Sequence, residues 1–366
     1  MLFIFLLTKP IVLKTCRQLK LTDKEKKIFS VQMFLRIWIG LFIQQQYFTI
    51  ATVSFNQPTF PPNSTWNQYA TTFANNFTIG TQPYALYVDT NNSIYTINLQ
   101  NGRILIWMNN STDPNPILYA QLSSSAYSIF VTTNGQIYVG DSTSIKQIIQ
   151  FSNSYSNQTT TIATVSSYNI YDLFVDLNNT LYCSMNTQHK VVKKSLNSNS
   201  STMTTVAGTG SQGSASNMFK YPNGIFVDTN SDLYVADYGN NRIQLFRLEQ
   251  INGTTVAGNT SANLTISLNY PSYVILDGNK YLFIADTNNN RIIGSDENGF
   301  RCIVACSGQG STSNQLSYPQ SIAFDSFGNL FVVDRNNHRI QKFCLLSNLS
   351  NSKRKTTTIR YFHLII

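Results

Sequence analysis

One pairing of residue types recurs along this 366-residue chain: a carboxylate followed five positions later by a cation. Asp141 precedes Lys146, Asp237 precedes Arg242, Asp286 precedes Arg291 and Asp334 precedes Arg339. At matching places Asn98 precedes Arg103 and Met185 precedes Lys190. An aspartate can accept several hydrogen bonds, take a proton or hold a hard cation through oxygen. A guanidinium can fork onto a carboxylate or collect carbonyls. A pair used once per repeat, with its acid lost at Asn98 and Met185, reads as framework: the carboxylate accepts hydrogen bonds at a turn, and the cation covers neighbouring surface. Asp141, Asp237, Asp286, Asp334, Arg103, Arg242, Arg291 and Arg339 are therefore expected to be structural.

The other chemistries are thinly supplied. The histidines are His189, His338 and His363, and the glutamates are Glu25, Glu249 and Glu297. His338 stands in the slot filled by Asn241 and Asn290 in other repeats, so it reads as a repeat variant rather than a metal ligand. Zinc sites that rely on several imidazoles have too few here, and no Gly-x-Ser-x-Gly nucleophile elbow occurs. No catalytic residue, metal ligand or cofactor is expected.

The elements that position these residues repeat as well. Three segments align without gaps: Tyr221-Pro222 to Asp228 with Leu233 to Asp237, Tyr270-Pro271 to Asp277 with Leu282 to Asp286, and Tyr318-Pro319 to Asp325 with Leu330 to Asp334. Looser copies precede them, and the repeats occupy 82–107, 126–151, 168–195, 221–246, 270–295 and 318–343. Their anchors Val88, Val131, Val175, Val227, Leu276 and Phe324 lie 43, 44, 52, 49 and 48 residues apart. Six repeats of this length, each built of short strands, indicate propeller blades. Each repeat parses into an apolar inner strand ending at Asp, an Asx or Gly turn, a Leu-Tyr-Val strand, an Arg-Ile-Gln strand and an outer Thr-Thr-Val-Ala-Gly strand. The last repeat lacks its outer strand. Tyr69 to Ala74 at the front supplies one, which closes the ring and removes an open edge; Lys355 to Ile359 in the tail is the rival for that slot.

Pro-x-x-Ile-x-Val-Asp, Leu-Tyr-Val-Ala-Asp and Asn-x-Arg-Ile-Gln-x-Phe resemble the NHL repeat, sharply in repeats four to six and loosely in one to three. The resemblance covers about residues 69–344; with the closing strand and the apolar run ahead of it, the expected fold is an all-β, six-bladed propeller of four-stranded antiparallel blades, closed by an N-terminal strand, with an N-terminal hydrophobic helix. The resemblance implies less about function, since one propeller serves many activities. Propellers of this type include RNA-binding proteins, a metal-dependent amidating lyase and extracellular adhesion or sensor domains, and related six-bladed rings include metal-dependent lactonases.

The net charge of +9 separates these possibilities. Residues 1–32, Arg36 and the tail 345–366 carry +10 between them, leaving the body at −1. A neutral body with one cation per blade does not make a phosphate-binding face, so nucleic acid is not an expected partner. All 41 asparagines lie from Asn56 onward. Met33 to Ile43 is an apolar run followed by three glutamines, short for a membrane span and suited to a signal peptide or signal-anchor. The expected organisation is a basic extension at 1–32, a signal-like hydrophobic segment at 33–55, a propeller at 66–344 and a basic tail at 345–366. A start at Met33 would make residues 1–32 an extension of the gene model. Export would make Asn63, Asn76, Asn110, Asn157, Asn199, Asn252 and Asn263 candidate glycosylation sites.

Of the five cysteines, Cys302 and Cys306 would stand about 13 Å apart if both lay on one strand, too far for a bridge. A bridge from Cys306 or Cys302 to Cys344 is the candidate disulfide, with free buried thiols the alternative. A non-enzymatic extracellular or membrane-displayed scaffold is the expected function, acting as a monomer on a protein or glycan partner. A metal-dependent propeller hydrolase or lyase is the alternative. The candidate ligand contacts are Tyr221, Asn223, Tyr270, Tyr273, Tyr318 and Gln320, at the entries to the inner strands.

Overall fold

The computed structural model describes residues 55–346 except 100–101, 110–114, 123–125, 142–146, 152–158, 165–169, 199–201, 260 and 262–265. The basic extension, the apolar run at 33–43, the rival closing strand at 355–359 and the candidate glycosylation sites Asn110, Asn157, Asn199 and Asn263 lie outside the described residues.

Local sequence and hydrogen bonding account for the blade unit. In blade 4 the inner strand Pro222–Val227 is wholly buried, as its apolar run requires. Asp228 ends it by accepting the backbone N–H groups of Asn230 and Asp232 through Oδ1, at 2.8 and 3.0 Å. Leu233–Asp237 returns antiparallel, followed by Arg242–Phe246 and the outer strand Thr254–Gly258. Asp325 in blade 6 makes the same turn, accepting from Phe327 and Asn329.

Among the described residues there are six four-stranded antiparallel sheets and one two-stranded antiparallel pair. The inner strands of the six sheets are Pro83–Val88, Ala126–Val131, Ile170–Val175, Pro222–Val227, Pro271–Leu276 and Pro319–Phe324. Each inner strand lies against the next in that order, and the sixth lies against the first, so the ring closes. The outer strand of the sixth sheet is Thr71–Ala74, paired with Arg339–Phe343 in the register Thr71 to Lys342 and Thr72 to Gln341. The Thr72 hydroxyl donates to Gln341 Oε1 at 2.8 Å. Thr255 and Gln244 make the same contact inside blade 4, so the closing strand reproduces an ordinary outer strand. The seam between blades 6 and 1 has its own apolar cluster, in which Phe73 packs edge-on against Trp107 and Phe331.

Residues ahead of the expected propeller boundary belong to its core. A strap from Phe55 to Trp66 crosses the face formed by the turns after the inner strands. Phe55 seats edge-on at 5.2 Å from both Phe174 and Phe226. Asn56 Nδ2 donates to the carbonyls of Asp89 and Phe324, and Phe60 packs on Trp66, Phe283 and Phe324. Gly278 makes the crossing possible, because a Cβ there would sit 2.6 Å from Thr59 Cγ2 and 2.9 Å from Gln57 O. Thr65–Trp66 then pairs with Leu345–Leu346.

The cysteine expectation is corrected. Cys302 and Cys306 are bonded to each other, with Cα atoms 5.9 Å apart. Only Cys302 lies on the strand, which ends at Val304. Ala305 takes a left-handed φ of 58°, so the chain doubles back and brings Cys306 within reach. Cys344 is free and exposed, Cys183 free and buried; neither Cys306 nor Cys302 is linked to Cys344.

Candidate functional site

The recurring Asp and Arg meet at the turn between the second and third strands. Arg242 Nε lies 2.8 Å from Asp237 Oδ2, Arg291 Nε 2.8 Å from Asp286 Oδ2, and Arg339 Nε 2.6 Å from Asp334 Oδ2. Each carboxylate also accepts a backbone N–H from the loop entering its own blade, donated by Lys220, Asn269 and Ser317. The guanidinium groups donate to carbonyls of that loop: Ala215 and Met218 for Arg242, Ser267 for Arg291, and Ser311, Thr312 and Gln315 for Arg339. Every oxygen of these carboxylates is occupied inside the fold, which suits them to hold loops. In blade 1, Asn98 fills the place by donating to the carbonyls of Ile79 and Thr81. Arg103 opens the following strand, and Asp141 ends the second strand of blade 2.

A second repeated contact joins each blade to the next. After the Asp, or Met185 in blade 3, a short 3-10 turn ends in a left-handed residue: His189, Asn241, Asn290 and His338, with φ between 54° and 56°. Its side chain accepts the backbone N–H of the residue before the next inner strand. The pairs are Tyr221 to His189 Nδ1 at 3.2 Å, Tyr270 to Asn241 Oδ1 at 2.8 Å, Tyr318 to Asn290 Oδ1 at 2.9 Å and Gln82 to His338 Nδ1 at 3.2 Å. The donor residues are left-handed too. His338 thus acts as the Asn of its repeat.

The inner strands deliver one side chain per blade to the channel mouth on this same face. The second residues of the six inner strands are Tyr84, Tyr127, Tyr171, Asn223, Ser272 and Gln320, of which Tyr127 and Tyr171 are half-buried and the other four buried. Tyr127 and Tyr171 stack with centroids 4.8 Å apart, and Tyr84 meets Tyr127 edge-on at 5.0 Å. Gln320 Nε2 donates to the Tyr84 hydroxyl at 3.2 Å. Burial raises the Tyr84 phenol well above its ordinary range, and burial first, then the neighbouring Tyr318 and Tyr270, pushes Tyr238 up to about 12. Arg335 lies with its guanidinium carbon 5.3 Å from the centre of the Tyr84 ring. Its Nε is buried and has no hydrogen-bond partner among the described residues.

Below the ring, Asp172 is buried and lines a small cavity with Tyr84, Tyr127, Tyr171 and Tyr273. Its carboxylate accepts from Leu173 N at 2.9 Å and from Ile225 N of the next blade at 2.8 Å. Burial raises it to about 8. The opposite end of the channel is filled by Phe55 among Phe130, Phe174 and Phe226. Among the described residues, the strap lies on this end and not on the tyrosine-lined one.

The sequence-derived contact residues divide. Tyr221 and Tyr270 are exposed on this face, at 40% and 37%, and Tyr318 is half-buried. Asn223 and Gln320 belong to the mouth ring and are buried. Tyr273 lies deeper, lining the small cavity shared by Tyr84, Tyr171, Asp172 and Ser321. Sequence reasoning missed Tyr84, Tyr127, Tyr171, Tyr238, Arg335 and Asp172. A signal existed for Asp172: at its repeat position the other blades carry Ala85, Ser128, Gly224, Tyr273 and Ser321. Asn63, Asn76 and Asn252 are exposed. Among the described residues no group of three or more His, Cys, Asp or Glu is arranged to hold a metal.

The NHL repeat pattern matches residues 219–246 and 316–343, the cores of blades 4 and 6. Comparison with curated protein sequences finds no match. Among solved structures, the fold is similar to a structural genomics protein of unknown function from Bacteroides thetaiotaomicron. It is 13% identical with a TM-score of 0.59, over 76% of this chain and 76% of that one. It is also similar to virginiamycin B lyase from Staphylococcus aureus, 12% identical with a TM-score of 0.50, over 73% of this chain and 96% of that one. At these identities the likeness is one of fold.

Proposed function

Taking as its premise that this chain is an NHL-repeat β-propeller, we propose that it is a non-enzymatic binding scaffold, displayed outside the cell or at a membrane surface. The observation that carries this reading is the asymmetry of the channel. One end is filled by Phe55 and the strap, while the other carries the half-buried stacked pair Tyr127 and Tyr171 and the exposed Tyr221 and Tyr270. Aromatic faces with a few convergent polar groups are the usual composition of a recognition site. The partner is a glycan or protein segment entering from this mouth.

Three features support display in an oxidising compartment. The Cys302–Cys306 bond is of a kind that persists there. Asn63, Asn76 and Asn252 are exposed sequons. The surface is wetted by asparagine, serine and threonine, with only 12% of residues charged.

The test is a binding screen of the full-length chain against glycans and extracellular protein domains, with metal content measured on the same sample. The scaffold reading expects a ligand whose binding is lost in Tyr171→Ala and no turnover of that ligand. Stoichiometric calcium or zinc together with turnover would favour the metal-dependent hydrolase or lyase. A screen that finds no ligand would count against the scaffold.

A further inference from the structure

Exposed apolar side chains gather on the face crossed by the strap. In each blade the turn after the inner strand and the connection from the third strand to the outer one lie at the same end, because successive strands run antiparallel. Met108, Leu177, Leu248, Ile251, Phe327 and Leu346 stand at this end and are exposed, Ile251 by 75% and Phe327 by 72%.

The turns do not need them. Each turn is held by a backbone N–H donated to its Asp, from Asn91, Asn178, Asn230 and Asn279 in blades 1, 3, 4 and 5 and from Phe327 in blade 6. Asparagine fills the same place in blade 2, as Asn134, so blade 6 alone puts a phenyl ring there. Leu177 likewise takes a place that is threonine, glycine or serine in the other five blades. Leu248 and Ile251 belong to a loop whose backbone is tied by Leu248 N to Asp232 Oδ1 and by Gln250 N to the Arg247 carbonyl. Apolar side chains that add nothing to their turns are unfavourable in water and gain when something covers them.

Two observations identify the cover. The residues are spread over blades 1, 3, 4 and 6 around the strap. A folded partner buries one contiguous core, whereas a fluid lipid surface receives separate side chains around a disc. Both ends of the described chain also lie on this face: Phe55 enters against Phe174 and Phe226, and Leu346 pairs with Thr65 of the strap. The apolar run Met33 to Ile43 ends twelve residues before Phe55, a tether of about 40 Å at most. Lys353, Arg354, Lys355 and Arg360 follow Leu346, and such basic clusters are drawn to anionic headgroups.

We propose that the strap face is a membrane-docking surface, with these six side chains at the headgroup level of a bilayer and the tyrosine-lined mouth turned to the water. This deepens the reading of display at a membrane surface and rests on it.

The experiment mixes the full-length chain with vesicles of phosphatidylcholine, with and without phosphatidylserine. Sedimentation gives the partition. A water-soluble maleimide reads the face itself through Cys344, which is free and exposed between the third strand of blade 6 and the strap pair; peptide mapping separates it from other thiols. Vesicles should slow alkylation of Cys344 at least about tenfold, and the partition should strengthen with phosphatidylserine and weaken with salt. The triple variant Leu177→Thr, Ile251→Asn, Phe327→Asn should lose at least about tenfold in partition, and the Cys344 protection with it. Phe77→Gln, exposed at the opposite face, should change neither, and equal melting temperatures would show that the variants fold. Cys344 alkylated at its free rate on vesicles would show a chain held by its ends alone and would overturn the proposal. Equal partition of the triple variant, or no vesicle binding by wild type, would overturn it too. A captured protein that the triple variant loses, without lipid binding, would make the face a protein interface instead. Ligand binding at the mouth is measured without vesicles, so the two readings fail separately: a ligand without vesicle binding removes only the membrane face, and vesicle binding without a ligand removes only the scaffold.

Discussion

His338 Nδ1 accepts the backbone N–H of Gln82 at 3.2 Å, joining the last blade to the first at the seam where the ring closes. Asn241 and Asn290 make the same contact between other blades through Oδ1. The contact requires the neutral imidazole, because a protonated ring has two donors and no acceptor. His338→Asn should therefore preserve stability, whereas His338→Ala should lose about 1 kcal/mol. Thermal denaturation at pH 7.5 compares them.

His189 makes the equivalent contact with Tyr221, and burial lowers its pKa below the ordinary 6.5. A histidine whose folded pKa is depressed stabilises when neutral; that contribution is fully present above the unfolded value and is lost as pH falls through the folded one. Wild type should lose stability below about pH 6.5 as this contact goes. In His189→Asn that part of the acid dependence should be gone, as melting temperatures from pH 7.5 to 4.5 would reveal. A dependence unchanged by the substitution would place the titrating group elsewhere.

Asp172 titrates with the opposite sign. Burial raises its folded pKa to about 8 from 3.8, so between those values the folded chain holds a proton that the unfolded chain has lost. Stability from this group accordingly falls as pH rises through that window, by at most about 1.4 kcal/mol per pH unit. Asp172→Asn should remove this loss and melt higher than wild type at pH 8. Denaturant midpoints measured across the range check it.

The strap should matter as much as a blade core. Phe60→Ala removes a ring packed on Trp66, Phe283 and Phe324 and should cost about 3 kcal/mol. Gly278→Ala should also destabilise, because its Cβ would meet Thr59 and the Gln57 carbonyl. Equilibrium unfolding that leaves either variant at wild-type stability would show that the strap is not part of the core.

Thiol chemistry gives an independent reading of the turn at Ala305. Cys344 should alkylate in the native chain and Cys183 only after unfolding, since one is exposed and the other buried with its thiol pushed up by burial. Cys302 and Cys306 should resist until reduced. Peptide mapping that recovers Cys344 in a bridge would contradict the pairing.

These residues also mark what a sequence discloses. The blade framework was legible because Asp237, Asp286 and Asp334 recur with their arginines at fixed spacing, and a repeated residue exposes its own role. The closing strand at Thr71–Ala74 was legible for the same reason, as a copy in the wrong place. The strap was not, because Phe55 and Phe60 occur once and repeat nothing. The Cys302–Cys306 bond was misjudged because extended-strand spacing was applied across Ala305, whose left-handed φ no composition announces. The mouth was half seen: Asn223 and Gln320 were named from their loops. Tyr84, Tyr127 and Tyr171 lie in the weak repeats, where register was hardest to assign.

The central claim is that the tyrosine-lined mouth is the binding site. The most direct measurement is the affinity of the full-length chain for a ligand found by screening, compared between wild type, Tyr127→Ala with Tyr171→Ala, and Tyr69→Ala as an exposed tyrosine outside the mouth ring. Binding should fall at least about tenfold in the mouth variant and stay at the wild-type level in Tyr69→Ala. Equal affinity in all three would contradict the claim.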